Sequence, residues 1–383
     1  MATQLRIFAL AAVVVIVLAG CSSSPNPSTN ASASRTGSPA RPADSKAADL
    51  RIRLDLLLGE QVLIVAKQSA AAVDHADSYA GYTTLLTTNG TDLAAVIRSA
   101  YGNTAADQFS QTWNLQNSYL VDYTIGVVTH NDAKSNGAMS GLTNGFVPQL
   151  TQLLSSLSQV SRDLVTQLIT QQLNDVKAVI DDQAANRPVS TYPDLHTAYM
   201  QAERLGDSLG PRIAQKFPDK FPGDASINAV DQRVALNILM QESAYLTTMA
   251  TDAIVRGSDT EKSAAITALA ANAGSLATAF GDLFGKASAT RFDQVWATRD
   301  AGLAGYASGG DSTSRHALTQ DFVAQLASLA HIGSAAVSDQ VSATLTAIDD
   351  QRAKASASLP GDDRAAATAM QPVADAMVDS GQG

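Results

Sequence analysis

Two glutamates, Glu60 and Glu242, are the residues of this sequence that could most readily do chemistry. Apolar residues stand three or four positions away from each of them, at positions 56, 57 and 64 and at positions 238, 239 and 246. Residues at that spacing share one face of a helix, so both carboxylates are expected to be partly buried. Buried carboxylates are either paired or perturbed, and perturbed ones cluster at functional sites. Two interpretations stay open: a structural ion pair, with Arg51 or Arg233 as partner, or an acid–base site.

A second set of candidate binding residues is aromatic, and it comprises Trp113, Trp296, Tyr123 and Tyr306. Each tryptophan follows a phenylalanine by four residues, which places the two rings one helical turn apart. Such pairs are typical of core anchors, and an aromatic ligand pocket is the alternative. Either tyrosine could donate its hydroxyl into a core or into a pocket.

Metal and cofactor chemistry find little support in the sequence. The pairs Asp181-Asp182 and Asp349-Asp350 could bind calcium at the edge of a helix, but they lack the spaced carboxylates of an EF-hand, which favours a solvated helix face. The five histidines are scattered, and no Glu-x-x-His, zinc-site or Gly-x-Ser-x-Gly spacing occurs. We therefore predict no metal, no cofactor and no catalytic residue.

These residues belong to a longer pattern that occurs twice in the chain. Arg51 and Glu60 recur in the same order as Arg233 and Glu242, and Ile180-Asp181-Asp182-Gln183 returns verbatim as Ile348-Asp349-Asp350-Gln351. Self-similarity in one order is the signature of an internal duplication. We predict two homologous halves, residues 49–220 and 221–383, with the Pro- and Gly-containing segment Lys216 to Asp224 at their boundary.

The elements that must position these residues are helices. Apolar residues recur at the three- and four-residue spacing of an amphipathic helix, as in Leu54, Leu57, Leu58, Val62 and Val65. Strand-like alternation is hard to find. The fold class predicted is all-α, with two helical-bundle halves in tandem after a disordered N-terminal tether. Gly102 and Gly285 end periodic runs, and we expect them to close helices as left-handed C′ caps.

The start of the chain indicates where the protein resides. Arg6 is followed by an apolar run from Ile7, which ends in Leu18-Ala19-Gly20-Cys21. This ending resembles the lipobox of bacterial lipoprotein precursors. The resemblance implies a signal peptide at residues 1–20, acylation of Cys21, and a lipid anchor in the cell membrane. Residues 21–48, rich in Ser, Pro and Ala, would form a flexible tether. An ordinary export signal and a buried cysteine are the alternatives.

Charge and motifs together narrow the function. The formal net charge of −10 argues against nucleic acid as a partner. The leading hypothesis is a non-enzymatic lipoprotein on the extracytoplasmic side that binds or organises an envelope protein or cell-wall partner. The alternative is a carrier of an apolar small molecule or lipid within or between the halves. A third hypothesis, a carboxylate-based enzyme or metal-handling protein, expects Glu60 and Glu242 to point into one cleft.

Overall fold

The computed structural model describes residues 42–382, and these residues are helical without any β-strand. The all-α prediction is therefore confirmed for this part of the chain. The predicted signal peptide at 1–20, the predicted lipidation site Cys21 and most of the predicted tether at 21–48 lie outside the described residues.

Fifteen α-helices follow one another in the described part of the chain, joined by short turns. They are α1 (Lys46–Val73), α2 (Tyr79–Tyr101), α3 (Asn103–Val128), α4 (Asp132–Gly141), α5 (Val147–Ser158), α6 (Arg162–Ala184), α7 (Pro188–Lys216), α8 (Asn228–Arg256), α9 (Asp259–Phe284), α10 (Lys286–Ala307), α11 (Ser312–His316), α12 (Val323–Ala330), α13 (Ser334–Ala353), α14 (Leu359–Thr368) and α15 (Met370–Gly381). A 3-10 turn at Pro42–Asp44 precedes α1, and π-helical segments at Leu142–Phe146 and Ala317–Phe322 join α4 to α5 and α11 to α12.

Helices α1 and α8 form the centre of the bundle. They pack against each other; α1 also packs against α2, α6 and α7, and α8 against α9, α13, α14 and α15. Both are buried on most of their circumference, as expected of core helices. Helix α7 reaches from α1 across to α9, and α14 reaches from α8 across to α2. The described residues belong to one compact unit, and the predicted boundary at Lys216–Asp224 lies inside it, between α7 and α8.

The folded part begins earlier than the predicted end of the tether at residue 48. Ser45 caps α1, because its hydroxyl oxygen accepts a hydrogen bond from the Ala48 N–H at 3.1 Å. The side chains of Ala43, Ala47 and Ala48 are all buried. Their methyl groups add little hydrophobicity to a segment rich in serine and proline, so composition alone assigned them to the tether.

Gly102 and Gly285 end α2 and α9, although not as the predicted left-handed caps. Their φ values are +85° and +86°, while their ψ values, −176° and 158°, are extended. Side chains are strained at such angles, and glycine is not. With these angles each glycine changes the direction of the chain within one residue, and the next helix, α3 or α10, starts at the following residue.

Two of the described helices, α1 and α9, are long and apolar enough to cross a membrane by length and composition alone. A core helix passes the same test, and α1 lies at the centre of the bundle. The exposed side of α9 consists mostly of Ala, Gly, Ser and Thr, and includes Ile266.

Candidate functional site

The carboxylate of Glu60 is buried on α1 and fully paired. Arg364 of α14 donates from Nε to one oxygen at 3.0 Å and from Nη2 to the other at 3.1 Å. Asn89 of α2 donates from Nδ2 to Glu60 at 2.8 Å and to the backbone oxygen of Leu57 at 2.9 Å. A permanent cation and an amide therefore neutralise and orient this carboxylate.

The carboxylate of Glu242 is buried on α8 with a similar neighbour. Asn272 of α9 donates Nδ2 to Glu242 at 2.8 Å and to the backbone oxygen of Leu239 at 3.0 Å. The other carboxylate oxygen contacts Nδ1 of His196 on α7 at 2.7 Å. Glu242 is only 1 % exposed, whereas the His196 side chain is 52 % exposed. Each glutamate thus accepts a hydrogen bond from its own asparagine, and the two differ in the basic group that faces them.

The His196 imidazole has a defined donor and a titratable second nitrogen. Because an ionised carboxylate only accepts hydrogen bonds, Nδ1 carries the proton that is donated to Glu242. The pKa of His196 is raised above 6.5, chiefly by this hydrogen bond and against the opposing effect of partial burial. Unlike the guanidinium of Arg364, the imidazole can lose its charge near neutral pH.

Glu242 and His196 lie in a cleft of about 750 Å³ between α7, α8 and α9. Its apolar lining consists of Val189, Tyr192, Pro193, Leu246, Ala264, Ala268 and Ala271. The hydroxyls of Thr197, Thr267 and Ser275 also line it, but each donates to a carbonyl one turn earlier in its own helix. Among the described residues lining the cleft there is no lysine or arginine, and Asp259 at the rim pairs with Lys262. Glu242, His196 and Asn272, together with the hydroxyls of Thr260 and Ser263, are the polar groups that remain for a ligand.

The expected partners of the glutamates, Arg51 and Arg233, lie elsewhere. Arg51 contacts Asp207 at 2.6 Å, Asp231 at 2.6 Å and the backbone oxygen of Ala225 at 2.7 Å. Arg233 contacts Asp375 at 2.8 Å, Asp49 at 2.7 Å and the backbone oxygen of Ala43 at 2.9 Å. Each arginine therefore joins one central helix to the segment that begins the other. Neither pairs with a glutamate, although both were possible partners in the ion-pair interpretation.

The aromatic candidates lie away from the cleft. Trp113 stacks on Phe109 at 5.2 Å between ring centroids, Trp296 stacks on Phe292 at 5.1 Å, and both tryptophans are buried in the core. The hydroxyls of the two candidate tyrosines donate to aspartates: Tyr123 to Asp181 at 2.6 Å and Tyr306 to Asp349 at 2.7 Å. None of the four lines the cleft.

His196 and Arg364 are the site residues that the sequence reasoning missed. No histidine occupies the position that matches His196 in the predicted second half, and Arg364 lies 304 residues from Glu60. A signal was available, however. The spacing that separates Ile180-Asp181-Asp182-Gln183 from its second copy also separates His196 from Arg364.

Within residues 42–382, no three His, Cys, Asp or Glu side chains converge as a metal ion would require. Comparison of the chain with protein-family models, with curated proteins and with solved structures gives no match.

Proposed function

We propose that this chain is a lipid-anchored binding protein of the cell envelope that holds one apolar small molecule in the cleft between α7, α8 and α9. The cleft itself carries the proposal. Its volume, about 750 Å³, is within the range of ligand pockets, and its lining combines apolar side chains with a few convergent polar groups. Val189 at its rim is 74 % exposed and would be covered by such a ligand.

The predicted duplication gives this cleft a counterpart at Glu60. Three pairs of contacts support two homologous halves, 49–220 and 221–383: Asn89 to Glu60 and Asn272 to Glu242, Tyr123 to Asp181 and Tyr306 to Asp349, and the acid contacts of Arg51 and Arg233. In this interpretation Arg364 of the second half fills the site around Glu60, whereas the site around Glu242, to which α7 of the first half contributes, stays open.

A non-enzymatic role agrees best with this arrangement. The enzyme hypothesis expected Glu60 and Glu242 in one cleft, but Glu60 is held by Arg364 and does not line the cleft. An organising role toward an envelope protein or the cell wall is the remaining alternative. The cleft favours a small ligand over such a partner, because it is concave and about as large as a small-molecule pocket.

Native mass spectrometry of the full chain tests the proposal. We expect an extra mass that survives gentle ionisation and is lost on denaturation. Thr267→Trp places a large ring in the cleft from an exposed position and should abolish the extra mass. Thr278→Trp, exposed on the same helix outside the cleft, is the matched control and should keep it. An extra mass that is equal in both variants, or absent from the unaltered chain, would contradict the proposal.

The proposed anchor has its own test. In cells fed a labelled fatty acid, the chain should carry the label and sediment with membranes. Cys21→Ser should lose both properties, because one thiol is the only acylation site that the lipobox provides. Label on the Cys21→Ser chain would contradict the anchor without affecting the proposal for the cleft.

A further inference from the structure

We infer that the ligand of this cleft is an amphipathic cation, whose amine head pairs with Glu242 while its apolar body fills the space between α7 and α9. This inference rests on the proposed function, since it names the class of molecule that the cleft would hold.

The Glu242 carboxylate is buried at the cleft without a permanent cation. It is 1 % exposed, and the described residues that line the cleft around it include no lysine or arginine. A buried carboxylate is costly unless a cation and hydrogen bonds compensate it. Asn272 supplies one hydrogen bond and His196 another, but in its neutral form the imidazole supplies no charge. The floor of the cleft therefore favours a positive group brought by the ligand.

The other buried carboxylate, Glu60, already has a cationic partner, the side chain of Arg364. Glu60 is held by Asn89 as Glu242 is held by Asn272, with 2.8 Å between amide nitrogen and carboxylate oxygen in both cases. Above Glu60 lies a guanidinium, with nitrogen–oxygen distances of 3.0 and 3.1 Å. Arg364 thus shows which chemical group this carboxylate setting accepts.

Beside Glu242 there is room for a ligand where Glu60 has the side chain of Arg364. His196 stands where the sequence spacing would place a counterpart of Arg364, and its side chain is shorter and ends in one ring. The volume beside it is the cleft. A protonated amine with an apolar substituent has the charge of the missing guanidinium and the body that the cleft can bury.

The protonation of His196 makes the affinity for a cationic ligand depend on pH. His196 keeps Nδ1–H toward Glu242 in both protonation states, and its second proton is on Nε2. A ligand cation beside an imidazolium is repelled, so binding releases the Nε2 proton to solvent and tightens as the pH rises. Four other charged groups line the two pockets that border His196: Glu242 from α8, Asp259 from α9 with its partner Lys262, Asp175 from α6, and Arg204 from α7.

Calorimetric titration with three probes of equal chain length tests the inference: dodecylamine, dodecanol and dodecanoate. The protein is the full chain with Cys21→Ser, kept free of detergent. We expect dodecylamine to bind at least tenfold more tightly than dodecanol, and dodecanoate to bind most weakly. The amine stays protonated as a lysine does, so its affinity should rise as the pH rises through the pKa of His196, which lies above 6.5.

Two variants decide what the result means. Glu242→Gln should bring dodecylamine and dodecanol to equal affinity while both still bind, and Glu60→Gln should keep the amine preference. If all three probes bind the unaltered chain equally, the cation inference fails while the apolar cleft stands. If none binds, or if Thr267→Trp binds them as well as the unaltered chain does, the proposed function fails with it.

Discussion

His196 donates its Nδ1 proton to Glu242 over 2.7 Å, from an imidazole that is half exposed to a carboxylate that is buried. The contact joins α7 to α8 at the floor of the cleft. The stability of the fold therefore depends on whether His196 is protonated.

The sign of that dependence follows from the pKa of His196, which the hydrogen bond to Glu242 raises above 6.5 in the folded chain. A raised pKa contributes stability that is fully present below the unfolded value and is lost as the pH rises through the folded value. In thermal denaturation, His196→Gln should therefore lower the melting temperature more at pH 6 than at pH 8. His316→Gln, on an exposed histidine, is the control. A deficit that does not change with pH would contradict this assignment.

His196→Arg should copy the Glu60 arrangement into the open site. The guanidinium would meet the Glu242 carboxylate as Arg364 meets Glu60, so the fold should become more stable at a pH above the raised pKa of His196, where the imidazole has lost its charge and the guanidinium keeps its own. The same side chain would occupy the floor of the cleft, and dodecylamine binding should be lost. Thermal denaturation and calorimetry of one preparation measure both effects. Retention of tight amine binding would show that the head group sits elsewhere.

Arg364→Met should destabilise the fold strongly. It leaves the buried Glu60 carboxylate without its cation, and breaking a buried pair in this way costs about 3 kcal/mol. Denaturant unfolding measures the loss, with Arg212→Met, on an exposed arginine of α7, as the control. A loss no larger than that of the control would mean that Asn89 and the hydroxyl of Tyr245 compensate Glu60 without the guanidinium.

The sequence predicted the helices well where side chains are large. The leucines and valines from Leu54 to Val65 share the spacing of α1, and the stacked pairs of Trp113 and Trp296 mark α3 and α10. The sequence did not predict where the folded part begins. Ala43, Ala47 and Ala48 are buried there, but their methyl groups add little hydrophobicity to the composition. Helix periodicity identifies the apolar face of a helix, and alanine side chains are too small to mark such a face clearly.

Partners of buried charges were beyond the sequence for a different reason. Periodicity identified Glu60 and Glu242 as carboxylates on apolar helix faces, and both are buried. It could not choose among arginines, because Arg51 and Arg364 are equally plausible until the paths of α1 and α14 are known. The packing of α14 against α2 and of α7 against α9 depends on tertiary contacts between residues far apart in the sequence.

Asp55→Asn should stabilise the fold. Asp55 is buried four residues after Arg51, and neither of its carboxylate oxygens has a hydrogen-bond partner. Four residues after Arg233 stands Asn237, whose Nδ2 donates to Asp375 at 2.9 Å. An asparagine at position 55 could donate to Asp207 in the same way, and relief of an unsatisfied buried group is worth about 1 to 3 kcal/mol.

The gain from Asp55→Asn should depend on pH. Burial raises the pKa of Asp55 well above 3.8, and the nearby charges of Asp207 and Glu203 raise it further. The folded chain is therefore destabilised by this group as the pH rises, and Asn removes that loss. Denaturant unfolding should show a larger gain at pH 8 than at pH 5, while Asp207→Asn, which removes a partner of Arg51, should destabilise. A gain that is equal at both pH values would contradict a buried, titrating Asp55.

Photoaffinity labelling tests the central claim most directly, because it reports where a bound molecule lies. A twelve-carbon amine with a diazirine at the end of its chain would be cross-linked to the full Cys21→Ser chain and mapped by peptide sequencing. The proposed function predicts labels on the cleft-facing residues of α7 and α9, among them Val189, Pro193 and Ala271, and their loss in Thr267→Trp but not in Thr278→Trp. Labels spread over the surface, or concentrated on α2 beside Glu60, would contradict it.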